Sequence, residues 1–328
     1  MLAFHSDETD VSLPPGSRFP AARFRLLREA VACDLPEVRL HPARAATRDA
    51  LCLAHGPPYV EAVLHGSLTP AQQREIGFTQ TRQTVLRARR SVGATLMATQ
   101  AALREGVAAN LAGGSHHARA DAGAGYCVFN DVAVAARWFQ RQAGGQPAVA
   151  IIDLDVHQGN GTAAIFRGDA SVFTLSLHGE HNYPSRKEPG SLDVALPDGC
   201  GDAHYLQALD AALAELWRRT ASHPPRLVFF LAGADPHEAD RLGRLKLTAA
   251  GLAERDRRVL AAVRERYIPL VLTMAGGYGE DLPRMVALQA HTVRQALESW
   301  QAWKDDAAAA LAVYAGVSLD GATEGEPG

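Results

Sequence analysis

Residues 150–162 read A-I-I-D-L-D-V-H-Q-G-N-G-T, an apolar run that closes on Asp153, Asp155 and His157 at alternate positions. Residues two apart in an extended chain share a face. The three side chains therefore converge at the C-terminal end of a strand, and the glycines behind them let the chain turn sharply and admit a ligand. Carboxylates and an imidazole on one buried face are costly unless something binds them, and a hard or borderline cation satisfies all three.

Further segments supply what such a cation needs. Residues 111–131 read L-A-G-G-S-H-H-A-R-A-D-A-G-A-G-Y-C-V-F-N-D, with His116 and His117 adjacent in a glycine-rich turn. Residues 227–243 form a second apolar run ending in Asp235, and residues 268–278 run through Gly276 and Gly277 to Tyr278. Asp155, His157 and Asp235 are read as three ligands that leave positions open for water and substrate, as a catalytic zinc requires. One nitrogen with two carboxylates also suits Fe(II), Co(II) or Mn(II). His116 and His117 then handle protons, oriented by Asp153 and by the amide oxygen of Asn160 respectively. Because Asn160 carries no charge, His116 is expected to be the stronger base. Tyr278 would donate a hydrogen bond to a polarised carbonyl.

Around these groups, apolar runs at 107–111, 148–154, 172–177, 226–231 and 269–274 are mostly continuous rather than alternating, as in strands buried on both faces. Helical periodicity fills 81–104, 128–142, 203–220, 248–266 and 282–303, with Thr248 and Asp202 as expected N-caps. The reading is a single-domain α/β fold with a central parallel sheet flanked by helices, spanning 1–315, and a mobile tail over 316–328. The chain has 328 residues, 47% of them hydrophobic, enough for a sizeable core. Its 33 basic residues, set against 36 acidic ones, are scattered, so neither nucleic acid nor a membrane is an expected partner. With no basic-then-apolar start, a soluble cytoplasmic protein is expected. Cys33, Cys52, Cys127 and Cys200 form no C-x-x-C pair and are expected to be reduced and mostly buried.

In order and spacing, G-G-S-H-H, Gly125-Tyr126-Cys127 with Asn130-Asp131, D-L-D-V-H-Q-G-N-G, the S-L-H of Ser176 to His178, A-D-R-L-G at 239–243 and G-G-Y together resemble the histone deacetylase superfamily. The chain is most similar to the class IV-like branch and its bacterial relatives. The resemblance implies an arginase/deacetylase-like fold and a zinc-dependent hydrolase of non-peptide amide bonds. Its substrate would be acyl-lysine in a protein or peptide, or alternatively a small acylated amine such as an acetylpolyamine. By position it implies Asp155, His157 and Asp235 as zinc ligands, His116 and His117 as the base and acid pair, and Tyr278 as the carbonyl-polarising tyrosine. It further implies Gly125 as a carbonyl that meets the substrate amide, Tyr126 as a wall of the acyl-lysine channel, and a structural K⁺ near Asp153, Asp155, His157, Ser176 and Leu177.

There are departures. Residues 181–192 lack the Phe-Phe-Pro-Gly-Thr-Gly run of class I, which leaves the second channel wall unassigned. Arg119, Asp121, Glu180, Arg186, Lys187 and Glu188 are the rim candidates, and their mixed charge favours acyl-lysine over a polycation. Three rivals fail on specific residues. Gly159 to Ala164 imitates a dinucleotide fingerprint, but Asp153 and Asp155 would repel a pyrophosphate. A binuclear ureohydrolase needs bridging carboxylates where this chain has Gln158 and Gly159. An inactive binding module predicts a missing ligand or tyrosine, and all are present.

Overall fold

The computed structural model describes residues 1–8, 13–14 and 16–305. Eight strands occur among them: β1 (Leu2–His5), β2 (Arg39–Pro42), β3 (Val107–Asn110), β4 (Val149–Asp153), β5 (Val172–Gly179), β6 (Leu192–Leu196), β7 (Leu227–Leu231) and β8 (Leu270–Thr273). The helices are α1 (Ala22–Asp34), α2 (Arg48–Leu51), α3 (Pro57–Leu64), α4 (Pro70–Ile76), α5 (Arg82–Glu105), α6 (Asp131–Gln142), α7 (Asn160–Ile165), α8 (Asp202–Arg219), α9 (Ala249–Arg264) and α10 (Leu282–Asp305).

All strands pair in parallel, in the order β2-β1-β3-β8-β7-β4-β5-β6. The chain builds β3, then β4 to β6 outward, and returns to insert β7 and β8 between β3 and β4. The four inner strands end in one row: Asn110 lies opposite Thr273, Thr273 opposite Leu231, and Leu231 opposite Asp153. Every segment with a polar strand end thus emerges at the same height on one edge, where ligands bind in parallel sheets.

Alternation within each inner strand feeds two cores. Ala150, Ile152 and Phe230 join the layer containing Leu27, Leu213, Val259 and Val293, while Val149, Ile151 and Phe229 join the layer containing Leu96, Val134 and Phe139. Both faces are covered, which explains the continuous apolar runs. None of the described helices is long and apolar enough to cross a membrane.

Several expectations need correction. Thr248 caps α9, its hydroxyl accepting from the Gly251 amide at 3.0 Å. Asp202 caps nothing; its carboxylate accepts from the Thr248 amide (2.9 Å) and hydroxyl (2.6 Å), tying the start of α8 to that of α9. The 128–142 helix begins at Asp131, because Asn130 caps it by accepting from the Ala133 amide at 2.9 Å. All four cysteines are free, but only Cys127 and Cys200 are buried and Cys33 is exposed, so the thiols are not mostly buried. Strands β1, β2 and β6 and helices α1–α4 and α7 were not anticipated. Residues 1–4, M-L-A-F, are an apolar run that did mark β1, whereas β2 is mostly exposed and β6 alternates in burial, so neither of those shows one. Residues 306–328, with the expected tail and the boundary at 315, lie outside the described residues.

Helix α5 has a start and a stop that its length requires. Thr81 accepts from the Thr84 amide, and Gly106 ends the helix at φ +87°, where a Cβ would lie 2.2 Å from the Trp303 ring. Midway, a Cβ on Gly93 would lie 1.8 Å from the Arg44 carbonyl oxygen. Gly93→Ala is expected to force these backbones apart and cost about 1–3 kcal/mol, the usual overpacking penalty. Urea unfolding checks this, and unchanged stability would show that the segment around Arg44 yields freely.

Candidate active site

Asp155, His157 and Asp235 meet where β4 and β7 end. All are buried, and one ligand atom from each lies within 4.8 Å of the others. His157 Nδ1 is 2.9 Å from Asp155 Oδ1 and 3.2 Å from Asp235 Oδ2. The outer carboxylate oxygens are fixed by the chain: Asp235 Oδ1 accepts from the Val156 amide (2.9 Å) and Asp155 Oδ2 from the Gly276 amide (2.7 Å). Asp235 Oδ2, fully buried, has no hydrogen-bond partner. Burial and the adjacent Asp155 charge lift the Asp235 carboxyl to about 7. Against the cost of burial, the same two carboxylates lift His157 to about 10. The set demands positive charge, and a divalent ion taking the orphaned oxygen answers it. Space is reserved too, since a Cβ at Gly276 would sit 1.9 Å from Asp235 Oδ2 and one at Gly233 would press on both carboxylates.

The histidine pair stands beside this set on the loop after β3. Asp131, buried at the head of α6, shapes that loop by accepting from the Gly114 (3.1 Å) and Ser115 (2.7 Å) amides. His116 Nδ1 donates to Asp153 Oδ2 at 2.6 Å, and His117 Nδ1 donates to Asn160 Oδ1 at 2.7 Å. Both Nε2 atoms then face each other 3.2 Å apart. Opposed environments split the pair: despite burial, Asp153 and Asp155 raise His116 to about 9, whereas burial with the neighbouring His116 and His157 holds His117 well below its ordinary value. Two like groups driven apart in this way are suited to different proton-transfer duties.

Tyr278 sits on the loop after β8, its ring centroid 6.0 Å from that of His157. Nearly every polar backbone group around it is held by a side chain. Arg23, 2% exposed, donates to the carbonyls of Gly277 (2.7 Å) and Ala275 (2.9 Å). Asp240 accepts from the Tyr278 amide at 2.6 Å, and Arg241 donates to its carbonyl at 2.7 Å. The A-D-R-L-G stretch is thereby a clamp on the tyrosine turn. Arg23 was missed from the sequence, although it shares a helical face with buried Leu27 and Val31. A charge at that spacing was the available signal.

A groove leads in from the surface past Gly125, Tyr126, His157, Tyr183 and Tyr278. Gly125 has φ +52°, and a Cβ there would strike the His117 ring at 2.6 Å. Tyr126 packs on Phe19 and Phe78. From the 181–192 loop, whose wall residue the sequence left unassigned, Tyr183 lines the groove, its ring edge-on to His117 with centroids 4.7 Å apart. An aromatic residue preceding Pro184, just after a strand end, was its only trace in the sequence. Beyond the histidines lies an inner cavity of about 90 Å³, lined by Phe19, Arg23, Phe24, Phe78, Arg87 and Cys127, among others. Burial raises the Cys127 thiol to about 12, so it lines the space as a neutral group.

The rim differs from expectation. None of the six rim candidates lines the groove, which is edged by Arg74, Glu75, His181, Asn182, Leu242 and Arg244. Lys187 turns inward to the Asn182 and Pro184 carbonyls, and Glu188 pairs with Arg167. Of the other histidines, His55 is locked between the Arg119 carbonyl and the Asn130 amide, and His178 meets Ser176 at 3.0 Å. Asp153 and Ser176 are register partners on β4 and β5.

The family described as "Histone deacetylase domain" matches residues 17–293. An uncharacterized protein of Picosynechococcus sp. is 40% identical over 287 residues, covering 87% of this chain and 94% of its own. Histone deacetylase 2 of Arabidopsis thaliana is 33% identical over 76% of this chain and 65% of its own length, and the acetoin utilization protein AcuC of Staphylococcus aureus is 28% identical over 76% and 68%. The match covers all four strand ends that build the site, and the chain belongs to the histone deacetylase family.

Proposed function

We propose that the protein is a zinc-dependent deacylase that removes short acyl groups from lysine side chains of proteins or peptides. The observation that carries this reading is the buried Asp155, His157 and Asp235 set lying against two imidazoles whose Nε2 atoms are 3.2 Å apart. A divalent ion held by Asp155, His157 and Asp235 would supply Lewis acidity toward the amide carbonyl and the attacking water. His116, its Nδ1 proton held by Asp153, takes a proton at Nε2 from that water. The pair returns that proton to the leaving amine, relayed through His117 Nε2, which lies 3.2 Å from His116 Nε2 while Asn160 holds His117 Nδ1. The Tyr278 hydroxyl, kept protonated well above its ordinary range by burial and Asp155, donates to the developing oxyanion. Tyr126 and Tyr183 flank the alkyl stem of the lysine, and Gly125 offers its carbonyl to the amide N–H. A structural K⁺ beside Asp153 and Ser176 would brace the strand ends.

The rim and the inner cavity narrow the substrate. At the entrance Arg74 stands beside Glu75 and Arg244 is paired with Asp198 at 3.0 Å, so the rim offers no excess of acidic charge to attract a polycation such as an acetylpolyamine. The inner cavity of about 90 Å³ adjoins both histidines and favours a short acyl chain. Zinc is the ion proposed here, and Fe(II) or Co(II) would supply the same Lewis acidity to this one-nitrogen, two-carboxylate set.

Wild-type protein is expected to hold one divalent ion per chain, and Asp235→Ala to lose it; metal analysis of the folded variant decides, and full occupancy would remove Asp235 from the ligand set. Tyr278→Phe should keep the ion while kcat falls by about 10²-fold, as for loss of an oxyanion donor. Wild-type turnover in that variant would exclude the role. Comparing kcat/KM for acetyl-, butyryl- and octanoyl-lysine peptides with acetylspermidine tests the substrate, with acetyl or butyryl peptides expected to lead. A hundredfold preference for acetylspermidine would transfer the activity to small acylated amines.

A further inference from the structure

Helix α9 carries Arg255 and Asp256 into the interior, each 1% exposed. A guanidinium at such depth is costly unless its donors are used. Nε donates to Asp256 Oδ1 at 2.8 Å and Nη2 lies 2.7 Å from the same oxygen. Nη1 donates to the carbonyl of Gly233 at 2.6 Å and reaches that of Leu154 at 3.3 Å. The other Asp256 oxygen accepts from Thr292 on α10 at 2.6 Å.

The two carbonyls are the informative part. Leu154 immediately precedes Asp155, and Gly233 lies two residues before Asp235, so both sit just past the ends of β4 and β7. Between these segments the Leu154 amide still donates to the Leu231 carbonyl at 3.0 Å, and the Val156 amide already donates to the Asp235 side chain. In that interval, where ladder pairing gives way to the metal loops, a guanidinium joins the two chains. The backbones there are in close contact, since a Cβ on Gly233 would lie 2.8 Å from Asp155 Cα. A planar fork with fixed donor directions can span two carbonyls, whereas an ammonium offers a point charge without that geometry.

We propose that Arg255 is a positioning residue for the metal centre, setting the separation of Asp155 and Asp235 by bridging the Leu154 and Gly233 carbonyls. Asp256 and Thr292 hold the guanidinium in place from the side away from the site. The inference rests on the metal-centre reading above and extends it to a side chain that touches neither ion nor substrate.

The test is a competition titration of Zn(II), with Co(II) absorption as a report on ligand geometry, on full-length wild type, Arg255→Lys and the double variant Arg255→Met/Asp256→Leu. The double variant removes both buried charges together, so folding need not suffer from a stranded one. Its Zn(II) affinity is expected to fall about 10–100-fold, the usual range for groups that orient ligands from behind, with an altered Co(II) spectrum. Arg255→Lys should fall between it and wild type. Wild-type affinity and spectrum in a folded double variant would overturn the proposal; if that variant does not fold, wild-type values in Arg255→Lys would overturn it equally. Failure of the wild type itself to bind one ion would instead refute the metal-centre reading, and the proposal with it.

Discussion

Two carboxylates and an imidazole are packed out of water within 4.8 Å of one another, and the rest of the structure is arranged around that repulsion. Burying adjacent negative charges is unfavourable by several kcal/mol unless they are neutralised. Three of the four carboxylate oxygens in the set accept from backbone amides, and only Asp235 Oδ2 is left without a hydrogen-bond partner. The remaining valence points inward. At Gly233 and Gly276 a side chain would collide with the carboxylates of Asp155 and Asp235 and displace them. The four inner strands have to end in one row, because a slip of one residue would turn each ligand to the opposite face.

Proton handling depends on the same charges at one remove. His116 and His117 are chemically identical and adjacent in sequence, yet their surroundings drive them in opposite directions. The difference lies in the acceptor on Nδ1: a carboxylate for His116 and an amide oxygen for His117. An aspartate in place of Asn160 would add a second negative charge behind the pair and erode that split.

Much of this was legible before any coordinates, because Asp153, Asp155 and His157 express the period of a strand directly and the glycine-rich turns mark where ligands can approach. Continuous apolar runs at β3, β4, β5, β7 and β8 likewise announced a doubly covered sheet. Other features depended on distant partners. The placing of β7 and β8 between β3 and β4 leaves no local mark. Arg23 reads as one more basic residue until its carbonyl partners arrive from 252 and 254 residues away. Lys187 and Glu188 looked like rim charges, but carbonyls and an arginine nearby consume them. Asp202 had the right type and place for a cap, and lost that role because the Thr248 amide and hydroxyl bind its carboxylate.

The late insertion of β7 and β8 also says something about how the molecule comes into being. Val107 must wait for Leu270, and Val149 for Leu227, before either inner strand gains its neighbour. A nascent chain emerging N-terminus first therefore exposes an unpaired apolar edge on each of these strands until its partner is made, and such edges invite pairing with other chains. Contacts of such long sequence separation also slow folding, because loop closure must be met before they form. Asp235 and Tyr278 arrive on the segments that close this gap. Completing the sheet and completing the proposed catalytic centre are thus one event.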